Sequence, residues 1–301
     1  MKLSKILSTA LLCLSVALIG CRSKPDSVAH ETLTLLIDDE NRILTLDFED
    51  YLAGCIFAAA DPSFQEETLI AAGIALSSQA RYCRDNFTAD WDADLTDRSD
   101  IYPDWLSPEE LEERYADRYP HWTEKVGKAA EIASELCLYY DGKPAYTPCC
   151  RVSAGITDDG GFSYLPALKL SRDPDSPEYT ACMEFTCETV REKLADVTGK
   201  VILPPDKAEW FSDPRYTSNG TLRYVRFGGT EITGEQLRKA LGLRSAAVTI
   251  AQEHDSFIFR TKGSGCGLGM GVYTADIMAR SGMTAEEILS VFYPGTELRR
   301  Q

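Results

Sequence analysis

The chain has 301 residues, 44% of them hydrophobic, and 47 acidic against 31 basic residues give it a net charge of −16. That balance excludes a nucleic-acid binder, which needs a basic face, and argues against electrostatic capture on anionic lipid or teichoic acid. The length suffices to bury a sizeable core, as one large domain or two smaller ones.

In chain order, Lys2 and Lys5 precede an apolar run, Ile6 to Ile19, which ends in the tetrapeptide LIGC at Leu18–Cys21. A short basic region, an apolar stretch and small residues before a cut site make a secretory signal, and the run is too short to read as a membrane-spanning helix. The cysteine after Leu-Ile-Gly predicts a lipoprotein signal over residues 1–20, cleaved before an acylated Cys21. The polar stretch that follows predicts a tether over 21–31, with one domain over 32–301. This reading places the protein outside the cytoplasm, anchored to the outer face of the cell membrane by lipid on Cys21. Loss of Lys2 and Lys5 leaves 29 basic residues (31 less two) against 47 acidic ones, a net charge near −18.

TLTLLIDDENRILTL, residues 32–46, reads as two short strands around a polar turn at Asp38–Asn41. Phe48 to Ala59 reads as a helix interrupted by Pro62. Ser63 then opens S-F-Q-E, a capping-box pattern, ahead of Leu69, Ala72, Leu76, Ala80 and Cys83 at helical spacing. This Ala- and Gly-rich segment predicts a closely packed core helix. Residues 86–106 read as an irregular loop. Ser107 opens a second capping box with Pro108 at the first helical position, and a further helix is predicted from about Trp122 to Glu135. Asp141-Gly142, between two β-rich runs, is a type I′ hairpin dipeptide. Helices are also predicted for VREKLADVTGK, ending at Gly199, for Gly234–Leu241, which is followed by two strands, and for TAEEILSVFYPG, stopped by Pro294-Gly295. Helices and strands mix without regular βα alternation, so the fold class predicted is α+β, with short antiparallel strands and hairpins.

Ten cysteines are present. Cys13 leaves with the signal and Cys21 carries lipid. The other eight permit disulfides outside the cytoplasm, with connectivity that spacing does not fix. No spacing is of the tight CxxC zinc type, and only three histidines occur. The most unusual stretch is GSGCGLGMGVYTA, Gly263 to Ala275, with glycine at every second position from Gly263 to Gly271. Such a pattern serves close backbone approach or positive φ.

Four blocks, in order, resemble the SpoIID/LytB family of peptidoglycan-acting domains. They are DFEDYLAGCIFAAADPSFQEETLIAAGIALSSQA, the Asp-Gly hairpin with CCRVSAGIT, GEQLRKALGLRSAAVTI, and GSGCGLGMGVYTADIMARSGMTAEEILSVFYPGTEL. The resemblance spans roughly residues 43–298. It implies a SpoIID-like α+β fold and a role in cell-wall remodelling during sporulation. The family's best-understood members are lytic transglycosylases acting on glycan strands stripped of stem peptides, and others enhance wall amidases. The partners implied are therefore peptidoglycan glycan strands and a wall amidase or other cell-wall hydrolase, with no nucleic acid. No cofactor is required; zinc is the metal candidate, because some members bind it near the hairpin segment.

The departures from the family pattern bear on activity. The family's proposed acid/base glutamate falls at Ala59, and its arginine in the next helix at Ser77. Its Gly-Trp-Gly-His-Gly-Val-Gly-Met-Ser-Gln-Tyr-Gly-Ala lies on Gly263–Ala275 without a gap, which puts Ser264 in place of tryptophan and Cys266 in place of histidine. The histidine of the hairpin block is Cys150, next to Cys149. Lytic cleavage needs one group to protonate the leaving oxygen and deprotonate the attacking hydroxyl, and a methyl group does neither. Asp61 is the candidate substitute, on another face of the helix or beyond its end. The candidate substrate-cleft residues are Gly263, Gly265, Cys266, Gly267, Gly269, Cys150, Ser153, Gly155 and Thr157. Cys149, Cys150 and Cys266 carry three open readings: buried small hydrophobes, a disulfide that closes the site, or a thiolate metal site or reactive thiol. The function expected is glycan or partner binding by a catalytically degenerate member, with an active lytic enzyme based on Asp61 as the alternative.

Overall fold

The computed structural model describes residues 31–37, 40–87, 92–97 and 102–301. The signal and Cys21, and Asp38 and Asp39 of the first turn, lie outside the described residues. The elements in order are β1 (Thr32–Ile37), β2 (Arg42–Asp47), α1 (Phe48–Ala59), α2 (Glu66–Asn86), β3 (Leu95–Thr96), α3 (Pro108–Tyr115), α4 (Tyr119–Ser134), β4 (Leu136–Tyr140), β5 (Lys143–Pro144) and β6 (Cys149–Cys150). They continue with β7 (Thr180–Thr186), α5 (Cys187–Thr198), β8 (Phe211–Tyr216), β9 (Leu222–Phe227), β10 (Thr230–Thr233), α6 (Gly234–Leu241), β11 (Val248–Glu253), β12 (Ser256–Lys262), β13 (Met270–Gly271), α7 (Val272–Arg280), α8 (Ala285–Phe292) and β14 (Glu297–Arg300). The fold is α+β: the sheets are small, ordered β2-β1-β3, β10-β9-β8, β11-β12-β7, β13-β6 and β14-β4-β5.

Two cores organise these elements. The larger is helical: α1, α2, α4 and α8 bring together Leu52, Ile56, Leu69, Ile74, Ala133 and Phe292. At its centre lies α2, the predicted Ala-rich helix. A Cβ added to Gly73 would lie 2.7 Å from the Cβ of Ala133, so α2 and α4 pack nearly backbone to backbone. The smaller core lies between the β11-β12-β7 and β10-β9-β8 sheets and α5 and α6, and is filled by Val190, Trp210, Phe227, Leu237, Phe257 and Phe259. In β12, Phe257, Phe259 and Thr261 are buried and alternate with less buried neighbours, the period-2 pattern of a strand with one covered face.

Local chemistry explains most of the ends. The box at Ser107 and Glu110 forms as expected, and Asp141 and Gly142 both take positive φ, 49° and 76°, as a type I′ turn requires. The capping box expected at Ser63 does not form. The α2 N-cap is Gln65 without a side-chain cap bond. The buried Asp276 carboxylate on α7 replaces it, accepting from Gln65 N at 2.7 Å and Thr68 Oγ1 at 3.2 Å while Arg280 pairs with its other oxygen. A negative charge at a helix N-terminus satisfies orphan N–H groups and complements the helix dipole. In turn, Glu67 in the first turn of α2 accepts from Ala285 N at the start of α8, 2.6 Å away. These long-range caps fix α7, which follows the glycine stretch, against the α2 end.

Candidate functional site

Short backbone pairings bring the hairpin block and the glycine block together, although more than a hundred residues separate them. β6 and β13 pair in parallel, Cys149 opposite Met270 and Cys150 opposite Gly271. Val152 and Ser264 exchange both backbone hydrogen bonds, at 3.2 and 2.6 Å, and Asp158 N donates to Gly267 O. The Tyr293 hydroxyl, fully buried, closes the junction: it donates to Pro148 O at 2.7 Å and accepts from Met270 N at 3.2 Å.

This contact accounts for the glycines. At Gly265, a Cβ would lie 2.8 Å from the Cβ of Cys150; at Gly269, it would land on the Pro148 carbonyl oxygen, and φ there is +63°. Both requirements of the pattern, missing side chain and positive φ, meet at these residues.

The two blocks, the C-terminal end of α1, part of α2 and α6 enclose a cleft of about 230 Å³. Ala58, Ala59, Cys149, Cys150, Ser264, Gly265 and Cys266 line it, with Gln79, Tyr102, Asp104, Arg151, Arg238 and Arg244. The structure thus gathers into one cleft Ala59, Cys150 and Cys266, where the resemblance puts glutamate and two histidines. Of the other candidate residues, Gly263, Gly267 and Gly269 do not line the cleft: Gly263 and Gly269 pack on the backbone of Val152, Ser153 and Pro148, and Gly267 O accepts from Asp158 N. Ser153 and Thr157 are buried and do not line the cleft: Ser153 Oγ accepts from Gly155 N at 3.0 Å and Thr157 Oγ1 from Leu168 N at 2.9 Å. Gly155 lies in that same internal turn.

Asp61 lies past the end of α1, whose C-cap is Ala60. Its carboxylate accepts from Ser63 N at 2.8 Å. It lines an adjoining side pocket of about 80 Å³ with Ala59, Arg151, Glu178 and Tyr273, not the cleft itself. Arg151 divides the two spaces: Nε and Nη2 donate to Glu178 at 3.1 and 3.2 Å, and Nη1 donates to Ala58 O at 3.1 Å. A cation on a helix C-terminal carbonyl is favourable, so Arg151 fastens the hairpin block to the end of α1.

The eight described cysteines are all free thiols. Cys266 Sγ lies 3.7 Å from Cys149 O, as a weak S–H donor. Burial pushes the Cys149 and Cys150 thiols well up, with the neighbouring Cys266 adding to both shifts. Burial pushes the Cys266 thiol up to about 11. Protonated thiols are poor nucleophiles. Among the described residues, no group of three or more His, Cys, Asp or Glu is arranged to hold a metal ion.

The net charge of the whole chain gives no sign that arginines line the cleft. Arg151, Arg238 and Arg244 line it, and Asp104, an exposed residue, is its sole carboxylate among the described residues. Glu235 pairs with Arg238 at 2.6 Å, whereas Arg244 makes no ion pair among the described residues. The buried Arg81, one helical turn past Ser77, donates through Nη1 to Ser77 Oγ and through Nη2 to Ser134 O at 2.9 Å, and it is not among the residues that line the cleft. A further residue carried no sequence signal. Asp173, fully buried, accepts from Ser153 N at 2.6 Å and from Thr274 Oγ1 at 2.5 Å, tying the hairpin block to α7.

No protein-family model matches the chain. Over 262 residues it is 24% identical to stage II sporulation protein D of Bacillus subtilis (strain 168), the match covering 84% of this chain and 74% of that protein. It is 23% identical over 262 residues to stage II sporulation protein D of Bacillus amyloliquefaciens, with the same coverage.

Proposed function

We propose that this chain, a divergent stage II sporulation protein D-like protein, is a sporulation-related cell-wall lipoprotein that binds peptidoglycan glycan strands and does not cut them. Lipid on Cys21 would hold it at the outer face of the membrane, with a wall amidase or other hydrolase as its working partner. The observation that carries the reading is the content of the cleft. Ala59, Cys150 and Cys266 occupy it together, and no carboxylate stands at Ala59 to act as acid and base. Three arginines line the space instead; Arg151 and Arg238 are already paired with Glu178 and Glu235, so it is Arg244 that suits a strand whose sugars, once stripped of peptide, carry free carboxylates. The reading based on Asp61 is weaker, because that carboxylate sits in the side pocket and is engaged with Ser63 N.

The test is incubation with denuded glycan strands, scored for co-sedimentation and for anhydro-muramyl ends. Binding without new ends is expected, with Arg244→Glu reducing the bound fraction. Ala59→Glu should recover little activity: loss of a general acid/base costs roughly 10²- to 10⁴-fold, and the polar neighbours are missing too. Robust production of anhydro ends by the wild-type protein would overturn the reading in favour of Asp61. Cys21→Ala is expected to leave the membrane fraction, and unchanged detergent partitioning would remove the tether.

A further inference from the structure

A second cavity, about 770 Å³ and larger than the cleft, opens at one end of the β11-β12-β7 sheet. Its volume falls in the range of small-molecule sites. The start of β7, the start of β11 and the end of β12 form its floor, and the β8–β9 turn forms its far side. Ladder register puts Arg260 between Cys182 and Thr249, and Lys262 opposite Thr180.

Three features give the cavity a chemistry. Its cations are Arg260 and Lys262, and no carboxylate lines it, in a chain with 47 acidic residues. Lys262 makes no ion pair among the described residues, and the ion pair of Arg260 is a long one, with Glu253 at 4.0 Å. Hydroxyls are also concentrated there, from Thr180, Thr249, Thr261 and Tyr216. Thr261 is 4% exposed, and its Oγ1 is buried with no hydrogen-bond partner. That hydroxyl lies on the covered face of β12 with Phe257 and Phe259, whereas Arg260 and Lys262 lie on the other face with Cys182, Thr180 and Thr249, so the hydroxyls available beside the cations are those of Thr180 and Thr249. Finally, the site is built against the cleft loop. Ala154 lines this cavity while Cys149 to Arg151 line the cleft, and Asn219 Nδ2 in the β8–β9 turn donates to Thr157 O at 2.8 Å and Asp158 Oδ1 at 3.2 Å.

We propose that this cavity is a second binding site, for a sugar unit bearing one carboxylate or phosphate. Arg260 and Lys262 take the anion, the Thr180 and Thr249 hydroxyls meet the sugar hydroxyls, and the half-exposed Tyr216 ring covers the apolar face of the ligand. The ligand class rests on the glycan reading of the cleft, whereas the site rests on its own residues.

Cys182 supplies the readout, since it lines the cavity and is the exposed cysteine among the described eight. Its alkylation rate is measured by mass spectrometry in the full chain, with millimolar N-acetylmuramic acid, its methyl ester, N-acetylglucosamine or glycerol 3-phosphate. N-acetylmuramic acid or glycerol phosphate should slow alkylation several-fold, and the arm that protects more identifies a wall-glycan or a polyol-phosphate source. The ester and the neutral sugar should not protect. The R260Q/K262Q double substitution, at two exposed positions and expected to leave the melting temperature unchanged, should abolish protection. Absence of protection by either anion, equal protection by the neutral compounds, or protection that survives the double substitution would each overturn the proposal. A cleft that binds no strand leaves this monomer assay unaffected, so the two readings fail separately.

Discussion

The cleft and the second cavity are built on opposite terms. The cleft is held by backbone on backbone: glycines press against Pro148 and Cys150, and thiols stand among its lining groups. The cavity, in contrast, is open, hydroxylated and cationic, and belongs to no motif legible in the chain. Strict backbone demands impose a glycine pattern whatever side chains stand between the glycines. A cavity lined by side chains on strand ends makes no such demand on sequence, so its residues leave no signature.

Graded substitutions sharpen this contrast. The largest effect is expected from Gly269→Ala, which forces a Cβ into the Pro148 carbonyl at positive φ; a loss of about 3–5 kcal/mol is expected from strain and overpacking together. Asp173→Ala strands Ser153 N and the Thr274 hydroxyl inside the junction and should cost about 2–4 kcal/mol. Gly220→Ala, in the cavity turn at φ +88° with nothing within 4 Å of the new Cβ, should cost only about 1–2 kcal/mol, the left-handed penalty alone. Urea unfolding of the three variants checks the order. Equal losses at Gly269 and Gly220 would break the distinction between the two regions.

The smallest effect concerns pH. The Cys266 thiol rises to about 11 and Cys83 to about 12, each by burial, from an ordinary 9.0. A raised thiol favours the protonated folded state. Its contribution is therefore complete below pH 9 and is lost as pH climbs through 11 and 12. Melting temperature should fall across that window, and Cys83→Ala should flatten the fall. A curve that declines only below pH 9 would contradict the assignment. At neutral pH, alkylation should reach Cys182 in the cavity before Cys266 in the cleft.

Much of the fold was legible because its signals are local. The Phe48–Ala59 and Gly234–Leu241 helices, the Ser107 box, the Asp141-Gly142 turn and the Gly199 stop each depend on a few adjacent residues, and all appear where the sequence puts them. Ser63 failed as a cap because a competitor more than two hundred residues away, Asp276, takes the Gln65 N–H, while Asp61 takes the Ser63 N–H that the box would use. The convergence of Ala59, Cys150 and Cys266 was legible only by resemblance. Arg238 and Arg244 lay inside a quoted block and still went unread as cleft residues, since helix position alone does not say what a side chain faces.

By itself, then, the sequence determined the helices, the turns, the glycine spacing and the methyl group at Ala59, because each is a property of a residue and its near neighbours. Tertiary structure alone decided that an acidic chain carries a cleft rimmed by arginine, that Asp173 and Asp276 act as buried clasps, and that strand ends enclose a cationic cavity. Charge, burial and hydrogen-bond satisfaction at those places depend on distances between residues far apart in the chain, and no spacing along one strand of text encodes them.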